Sequence, residues 1–321
     1  MKVVILDDYQ EAVKDLTCFS LLEGHEVTVI KDIHDISVFS FEKLKEAEVL
    51  VLIRERTRID EDFLSKLPNL KLISQTGKIA SHIDLEACNK YKVLVAEGIG
   101  SPVAPSELTW GLILNSQRKI PQAITDMKNG LWQTNIGKTL KGQTIGIWGY
   151  GKIGKKIANY AKAFDMTVLI WGSEKSLANA KDDGHLVAEN KESFFRTSDI
   201  ITLHLRLVPE TQGIVKQTDL QQMKNEAIFV NTSRAELVEK DALMNALKDG
   251  KPGYVALDVY EEEPIYDKEY PFLKMPNVIC TPHLGYVEKN GYELYFSKAF
   301  ENINNFANGN PENIINLHIL M

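Results

Sequence analysis

The chain has 321 residues, 44% of them hydrophobic and 25% charged, which is typical of a globular protein with two domains. Its 37 Lys and Arg against 44 Asp and Glu give a formal charge of −7, without a concentrated basic stretch, which argues against nucleic acid as a partner. No segment approaches the roughly 18 apolar residues of a membrane span, and the apolar start is too short for a signal peptide. We therefore expect a cytoplasmic protein with no membrane partner.

The three cysteines are widely spaced and form no CxxC pair: Cys18, Cys88 and Cys280. This spacing predicts reduced thiols rather than a disulfide framework or a zinc site. We assign no metal ligands.

Short apolar runs alternate with amphipathic segments, a pattern that predicts parallel strands connected by helices. The runs form two series, so we expect an α/β fold with two doubly wound parallel-sheet domains. The first series is 3–6, 27–30, 49–53, 70–73 and 93–96. The second series is 144–148, 167–171, 200–203, 227–231, 253–257 and 278–280.

Two long helical segments accompany these series. Residues 101–118 are apolar at helical spacing and follow the sequence GIGSP at 98–102, whose glycines and proline predict a hinge. Residues 288–308 are also helical. Their Tyr, Phe and Ile side chains need a core, so we expect this helix to cross back to the first domain.

The second series begins with a strand that runs directly into the sequence GYGKIG at 149–154 and then into a helical segment. Glycines at such a turn let the backbone approach a pyrophosphate, and the helix N-terminus supplies free N–H groups. A tight turn without a ligand is the alternative, but the position inside a βαβ unit favours dinucleotide binding. The predicted cofactor-binding residues of this loop are Gly149, Gly151, Lys152, Ile153 and Gly154.

The acidic residue expected about 20 residues later, where it would bind the adenosine ribose, is replaced by Gly172. Glu174 is the candidate acid in its place, whereas Ser173, Lys175 and Ser176 would suit a 2′-phosphate. A solvated turn is the alternative interpretation. We expect NAD with modest selectivity, with NADP as the other possible cofactor.

Polar side chains follow three strands of the second series where each strand ends. Arg234 follows the fourth strand, Asp258 and Glu263 follow the fifth, and His283 follows the sixth within the sequence CTPHLGY. Ligands bind beyond the carboxyl ends of strands in an open α/β sheet, so we expect these side chains to share one crevice. The proline before His283 and the glycine after it predict a rigid bend.

These blocks, in their order, resemble those of the D-isomer-specific 2-hydroxyacid dehydrogenases, a family that includes D-3-phosphoglycerate dehydrogenases and glyoxylate/hydroxypyruvate reductases. The similarity covers nearly the whole chain. Its blocks are GYGKIG, HL with PET at 204–211, NTSR at 231–234, DVYEEEP at 258–264 and TPHLGY at 281–286. The resemblance implies a Rossmann cofactor domain at 100–287 and a discontinuous, flavodoxin-like substrate domain at 1–99 and 288–321.

The family's catalytic arginine, glutamate and histidine fall on Arg234, Glu263 and His283. The implied reaction is NAD(P)-dependent interconversion of a D-2-hydroxyacid and its 2-oxoacid. A histidine can take the hydroxyl proton and return it as hydride leaves or joins the neighbouring carbon. Glu263 would fix the imidazole tautomer and favour its charged form, and Arg234 would bind the substrate carboxylate and the developing oxyanion. The alternative for Glu263 and Arg234 is an ordinary surface charge.

The resemblance implies further cofactor contacts. Asp258 falls on the acid that contacts the nicotinamide carboxamide, and Thr109 falls on a threonine near the cofactor phosphates. Thr232, in the NTSR block, is another candidate cofactor-binding residue. A homodimer is also implied, with residues 101–130 supplying much of its interface.

Substrate-binding candidates follow strands of the first domain. The family's glycine-rich loop for the substrate carboxylate corresponds to GKIASHID at 77–84, where Ile79 replaces a usual glycine and Lys78 adds a cation. Arg54 and Arg56 share one side of the chain if it stays extended, and they resemble paired arginines of phosphoglycerate dehydrogenases. A cleft with Arg54, Lys78 and Arg234 would suit a small 2-oxoacid with a second anionic group, such as 3-phosphohydroxypyruvate.

The same residues are compatible with three other functions. Glyoxylate or hydroxypyruvate reduction needs one anionic group on the substrate. Lys78 is similar to a lysine of phosphite dehydrogenases, which oxidise an inorganic anion. A corepressor that senses NAD(H) without catalysis would keep the nucleotide site.

Overall fold

The computed structural model describes residues 1–35 and 37–317, and the chain divides into two compact units. Residues 1–101 and those from 288 onward make the first unit, and residues 102–287 make the second. Each unit is built on its own parallel sheet. The predicted α/β class with two parallel-sheet domains is therefore confirmed.

The sheet of the first unit consists of β1 (Lys2–Ile5), β2 (Glu26–Val29), β3 (Val49–Leu52), β4 (Leu72–Gln75) and β5 (Leu94–Ala96). These strands pair in parallel in the order β2-β1-β3-β4-β5. Three α-helices of the first unit come before the second unit in the chain. They are α1 (Val38–Lys45), α2 (Glu61–Ser65) and α3 (Leu85–Lys90). Asp60 and Asp84 cap the N-termini of α2 and α3, which explains where these helices begin.

The sheet of the second unit consists of β6 (Thr144–Trp148), β7 (Thr167–Trp171), β8 (Leu186–Val187), β9 (Ile200–Leu203), β10 (Ile228–Asn231), β11 (Tyr254–Leu257) and β12 (Val278–Cys280). Its order is β12-β11-β10-β9-β6-β7-β8, all parallel. The strand order reverses between β6 and β9, and ligands bind at such a switch point.

The helices of the second unit are α4 (Val103–Arg118), α5 (Ile120–Lys128), α6 (Lys152–Ala163), α7 (Glu174–Asp182), α8 (Lys191–Thr197), α9 (Gln217–Gln221) and α10 (Ala242–Lys248). None of the helices within 1–35 and 37–317 has the length and hydrophobicity that a membrane span requires.

The last helix, α11 (Lys289–Ala307), belongs to the first unit. Its Ala299 carbonyl accepts a 2.8 Å hydrogen bond from the Ser74 hydroxyl in β4. Its Glu293 accepts hydrogen bonds of 2.7 and 3.0 Å from the backbone N–H groups of Thr17 and Cys18. These contacts attach the C-terminal helix to both the sheet and the 3₁₀ segment Thr17–Leu22 of the first unit.

Every strand predicted from an apolar run is present, with small shifts at the ends. β4 starts at Leu72 rather than at residue 70 and ends in the polar residues Ser74 and Gln75, which are fully buried. The apolar pattern misses β8, because this strand has only two residues and Leu186 is exposed.

Strand β6 shows how both faces of the second sheet are covered. Ile145 and Ile147 pack in one apolar cluster, and Trp148 packs with Phe194 in the other, because successive side chains of a strand point to opposite faces. A Cβ added at Gly146 would lie 2.8 Å from the Phe194 ring. The glycine thus lets Phe194 pack directly on the strand that leads into the glycine loop.

We predict that Phe194→Ala lowers the free energy of unfolding of the second unit by about 3–5 kcal/mol, because the fully buried ring packs against Trp148 and Phe195. Urea unfolding followed by tryptophan fluorescence measures this unit, since all four tryptophans lie in it. Leu186→Ala is the control, because Leu186 is exposed and its loss should cost less than about 0.5 kcal/mol. Equal effects of the two substitutions would contradict this core.

Candidate active site

The glycine loop between β6 and α6 is held in a conformation that requires its glycines. Gly149 has a φ of +102°, and a Cβ there would lie 2.4 Å from the carbonyl oxygen of His204. A Cβ at Gly154 would lie 2.1 Å from the carbonyl oxygen of Gly149. By contrast, a Cβ at Gly151 would meet nothing within 4 Å, so the space in front of α6 is open.

This open space fits a pyrophosphate. Helix α6 starts at Lys152, and among the described residues no side chain caps its first turn. The backbone N–H groups of that turn and the helix dipole therefore remain available for an anion. The geometry agrees with the predicted cofactor role of the loop.

A polar cluster that the sequence did not indicate fixes the loop from the side. The Tyr150 hydroxyl donates a 2.9 Å hydrogen bond to Asp183, whose same oxygen lies 2.8 Å from the Lys155 ammonium. Burial, and then the contact with Asp183, raises the pKa of Tyr150, so the phenol stays neutral and donates. The cluster links the loop and α6 to the end of α7.

The segment after β7, which is expected to bind the adenosine ribose, lacks the acidic residue usual at Gly172 in dinucleotide-binding folds. Ser173 caps α7 by accepting a hydrogen bond from the backbone N–H of Ser176, and Glu174 is the exposed first residue of that helix. A Cβ at Gly172 would lie 3.2 Å from the Ser176 Cβ, so the cap leaves little room for an acidic side chain there. Ribose binding by Ser173 and Glu174 stays a prediction.

His283 and Glu263 form a direct pair. His283 Nδ1 lies 2.5 Å from Glu263 Oε2, and the other carboxylate oxygen accepts a 2.8 Å hydrogen bond from the Tyr260 backbone N–H. Because a carboxylate can only accept, Nδ1 carries the hydrogen and Nε2 is the ring nitrogen left for proton exchange. The Tyr286 ring packs edge-on against the imidazole, with a centroid distance of 5.1 Å.

The bend that carries His283 is held by Asp258. The buried Asp258 carboxylate accepts hydrogen bonds from the Thr281 hydroxyl at 2.6 Å and from the backbone N–H groups of Leu284 and Gly285 at 2.7 and 2.9 Å. Burial raises the pKa of Asp258, and these hydrogen bonds oppose the shift. His283 itself has a φ of +51°, a left-handed conformation that the surrounding bonds maintain. The predicted nicotinamide contact of Asp258 stays a prediction.

Arg234 follows β10 in a loop held by its neighbours. The Asn231 side chain donates to the Arg234 carbonyl at 2.8 Å and accepts from the Ser233 N–H at 3.1 Å. The Ser233 hydroxyl donates to the Leu203 carbonyl at 2.6 Å, which ties the loop to β9. Asn231 and Ser233 thus position Arg234, a role that their place in the NTSR block alone does not reveal.

Thr109 and Thr232, both predicted to contact the cofactor, lie together. Their hydroxyl oxygens are 2.7 Å apart, and the Thr109 hydroxyl also donates to the Pro105 carbonyl at 2.7 Å. The contact joins α4 to the loop that precedes Arg234. Their cofactor contacts stay predictions.

The substrate-side candidates in the first unit have partners of their own. Lys78 Nζ lies 2.5 Å from Glu97 Oε2, and the Ile79 backbone N–H donates to Glu97 Oε1 at 3.1 Å. Glu97 follows β5, so the rule that polar residues follow strands would have indicated it. The Arg54 guanidinium lies against Gly77, where an added Cβ would be 2.0 Å from Arg54 Nη1.

Arg56 differs from the expectation that it pairs with Arg54 in substrate binding. Arg54 has a φ of +54°, so the chain is not extended here, and an extended chain is what would have put both arginine side chains on the same side of it. The Arg56 guanidinium donates to the Asp7 carbonyl at 2.6 Å and the Tyr292 hydroxyl at 2.9 Å, and it stacks 4.7 Å from the Tyr9 ring centroid. Arg56 is therefore a structural residue of the first unit.

Parallel strands explain which candidates come together. Arg234, Asp258 and His283 follow β10, β11 and β12, which are neighbours in one sheet, so they lie at the same edge. Glu263 reaches that edge through its hydrogen bond to His283. Among the described residues no group of three or more His, Cys, Asp and Glu side chains could hold a metal ion.

Residues 110–285 match the family model described as the NAD binding domain of D-isomer specific 2-hydroxyacid dehydrogenases. This span exceeds half of the chain, and the chain belongs to that family. The expected family and the expected cofactor NAD are thereby confirmed, and the family is one of NAD-dependent oxidoreductases.

Relatives and a solved structure support this assignment. The chain is 35% identical to the D-3-phosphoglycerate dehydrogenase of Methanocaldococcus jannaschii over 86% of its own length and 53% of the relative. It is 32% identical to the glyoxylate reductase of Thermococcus litoralis, over 87% of its length and 86% of the relative. The crystal structure of a phosphoglycerate oxidoreductase from Vibrio cholerae O395 is 52% identical, with a TM-score of 0.92 over 96% of this chain and 99% of that one. The chain spans about half the length of the Methanocaldococcus jannaschii relative.

We predict that Gly154→Ala weakens NADH binding at least about tenfold, because the new Cβ would collide with the Gly149 carbonyl and displace the loop. A fluorescence titration with NADH measures the affinity. Gly111→Ala is the matched control, since Gly111 lies in α4 and a Cβ there meets nothing within 4 Å. Unchanged affinity in Gly154→Ala would show that the cofactor does not approach this turn.

Proposed function

We propose that this protein interconverts a D-2-hydroxyacid and its 2-oxoacid. The proposal is supported chiefly by the 2.5 Å hydrogen bond that orients His283 within the NAD-binding unit. The glycine loop at 149–154 and the start of α6 would hold NAD, which would supply the hydride acceptor for oxidation and, as NADH, the hydride donor for reduction. The residues of the chain provide the proton transfer and the binding of the anionic substrate.

His283 serves as the acid and base. With Nδ1 bonded to Glu263, Nε2 takes the hydroxyl proton in oxidation and gives it back in reduction. Glu263 is itself held by the Tyr260 N–H, so the imidazole cannot rotate without breaking its hydrogen bond to an anchored carboxylate. Proton and hydride leave adjacent atoms, and a fixed imidazole supports that geometry.

Arg234 binds the substrate. Its planar guanidinium suits a carboxylate and the neighbouring carbonyl oxygen, which gains negative charge as the hydride is transferred. The Asn231 and Ser233 hydrogen bonds hold the backbone from which it extends.

The substrate that we propose first is 3-phosphoglycerate, with 3-phosphohydroxypyruvate as its oxoacid. Several proteins similar to this chain bear phosphoglycerate names. Arg54, whose Nε lies 3.7 Å from the Glu55 carboxylate, places a cation after β3 for the second anionic group. Glyoxylate is the second candidate. It is favoured by the Lys78–Glu97 ion pair, which cancels one of the cations expected to bind a doubly charged acid.

We also propose that the protein is a homodimer. Segment 120–136 exposes large apolar side chains, of which Trp132 is 74% and Ile136 89% exposed, and Ile120, Ile124 and Met127 recur at helical spacing in and beside α5. A second copy would cover these side chains. A cytoplasmic location, supported by three free cysteine thiols, belongs to the same proposal.

His283→Ala tests the proton transfer. We expect kcat to fall by roughly 10²–10⁴ with NADH affinity nearly kept, because the acid and base is lost while the glycine loop is untouched. Steady-state reduction of a 2-oxoacid and a separate NADH titration measure the two quantities. His34→Ala, at an exposed position in the first unit, is the control. Wild-type turnover by His283→Ala would refute the mechanism.

A comparison of substrates tests which 2-oxoacid the protein prefers. We expect a higher kcat/KM for 3-phosphohydroxypyruvate than for pyruvate, and Arg54→Ala should reduce this ratio about tenfold, a loss in the range of a hydrogen bond to a charged group. Arg58→Ala is the matched control, since the Arg58 side chain is 81% exposed and lies 3.8 Å from the Asp60 carboxylate, two residues away. The panel includes glyoxylate and phosphite. Glyoxylate outperforming the phosphorylated acid, with no effect of Arg54→Ala, would favour the second candidate.

A further inference from the structure

Glu97 holds the loop at 77–79 in the way that a bound anion would. Its two oxygens accept from two successive residues, Oε2 from the Lys78 ammonium at 2.5 Å and Oε1 from the Ile79 backbone N–H at 3.1 Å. A side-chain cation and a neighbouring backbone N–H converging on one carboxylate form an anion-binding arrangement. The chain thus fills this arrangement with a carboxylate of its own.

The Glu97 backbone is anchored on both sides. The Glu97 backbone N–H donates to the Asn313 carbonyl at 3.0 Å, and its carbonyl accepts from the Asn302 side chain at 3.1 Å. Only 18% of the Glu97 side chain is exposed, against 66% of the Lys78 side chain. An ion pair with so exposed a lysine is weak, so the lysine can leave while the carboxylate stays near the loop.

A second cation lies beside the same loop. The Arg54 guanidinium packs on Gly77, and the Arg54 backbone N–H donates to the Thr76 hydroxyl at 3.0 Å, which joins the ends of β3 and β4. Arg54 already has an acidic neighbour, since its Nε lies 3.7 Å from the Glu55 carboxylate. Without Glu97 the segment 77–79 would therefore present the Lys78 ammonium and the Ile79 N–H to an anion. With Glu97, the charge of Lys78 is balanced internally.

We propose that Glu97 is a specificity-determining residue that competes with the substrate's second anionic group for Lys78 and the Ile79 N–H. The role rests on the proposed function in that the loop is taken to contact the substrate. A singly charged oxoacid leaves the Glu97 contacts in place. A phosphorylated or dicarboxylic oxoacid must displace the carboxylate or bind beside it, at an electrostatic cost.

Glu97→Gln tests this selectivity. Glutamine keeps the length and an oxygen that can accept from the Ile79 N–H, but it removes the charge. We expect the ratio of kcat/KM for 3-phosphohydroxypyruvate to that for glyoxylate to rise about tenfold, mainly through a lower KM for the phosphorylated acid. Lys78→Met should move the same ratio in the opposite direction. An unchanged or lower ratio in Glu97→Gln would overturn the proposal.

Glu48→Gln is the matched control. Glu48 accepts from the Lys71 ammonium at 2.6 Å and from the Lys2 backbone N–H at 3.0 Å, which repeats the lysine and backbone arrangement elsewhere in the same unit. If this substitution changed the ratio as much as Glu97→Gln, the effect would be one of overall charge and the proposal would fail.

Anion binding without turnover separates this inference from the proposed function. Sodium sulfate should raise the melting temperature of Glu97→Gln more than that of the wild type, with sodium chloride at equal ionic strength as reference, and Lys78→Met in the Glu97→Gln background should abolish the difference. Sulfate stabilisation specific to Glu97→Gln, in a protein that reduces no 2-oxoacid, would support the anion site and refute the proposed function. Equal sulfate responses of the wild type and Glu97→Gln would refute the anion competition itself.

Discussion

The bend that carries His283 depends on one buried carboxylate, that of Asp258. Three donors of segment 281–285 point to its two oxygens, and without it the N–H groups of Leu284 and Gly285 would lose the acceptors that the structure gives them. Unpaired buried donors are costly, so the bend and the carboxylate stabilise each other. The left-handed conformation of His283 is maintained by this arrangement rather than by the residue's own preference.

The segment after β11 positions His283 at two points. Asp258 at its start fixes the backbone of the bend, and Glu263 near its end fixes the ring. Tyr260 lies between them and contributes twice, since its N–H binds Glu263 and its hydroxyl donates to the Thr281 carbonyl at 3.0 Å. Seven residues, 258–264, therefore determine both where the imidazole is and which nitrogen carries the hydrogen.

Sequence reasoning succeeded where a local pattern has one physical meaning. Apolar runs predicted the strands because parallel strands are buried on both faces, and the glycine loop was recognisable because Gly149 and Gly154 leave no room for a Cβ. It failed where a partner lies far away in the sequence. Nothing near Tyr150 indicates Asp183, and although Glu97 follows a strand, nothing near Lys78 indicates that the two residues pair. Arg56 was misjudged because a single left-handed residue, Arg54, reverses the alternation on which the prediction relied.

The division of the chain has a consequence for how such a protein can change. The glycine loop, Arg234, Glu263 and His283 all lie within 102–287, whereas Arg54, Lys78 and Glu97 lie in the first unit. The chain passes from one unit to the other after residue 101 and again after residue 287. These two junctions are natural recombination points: an exchanged first unit would bring different charges after its strands, while the glycine loop, Arg234, Glu263 and His283 would be inherited together as one uninterrupted stretch of the gene.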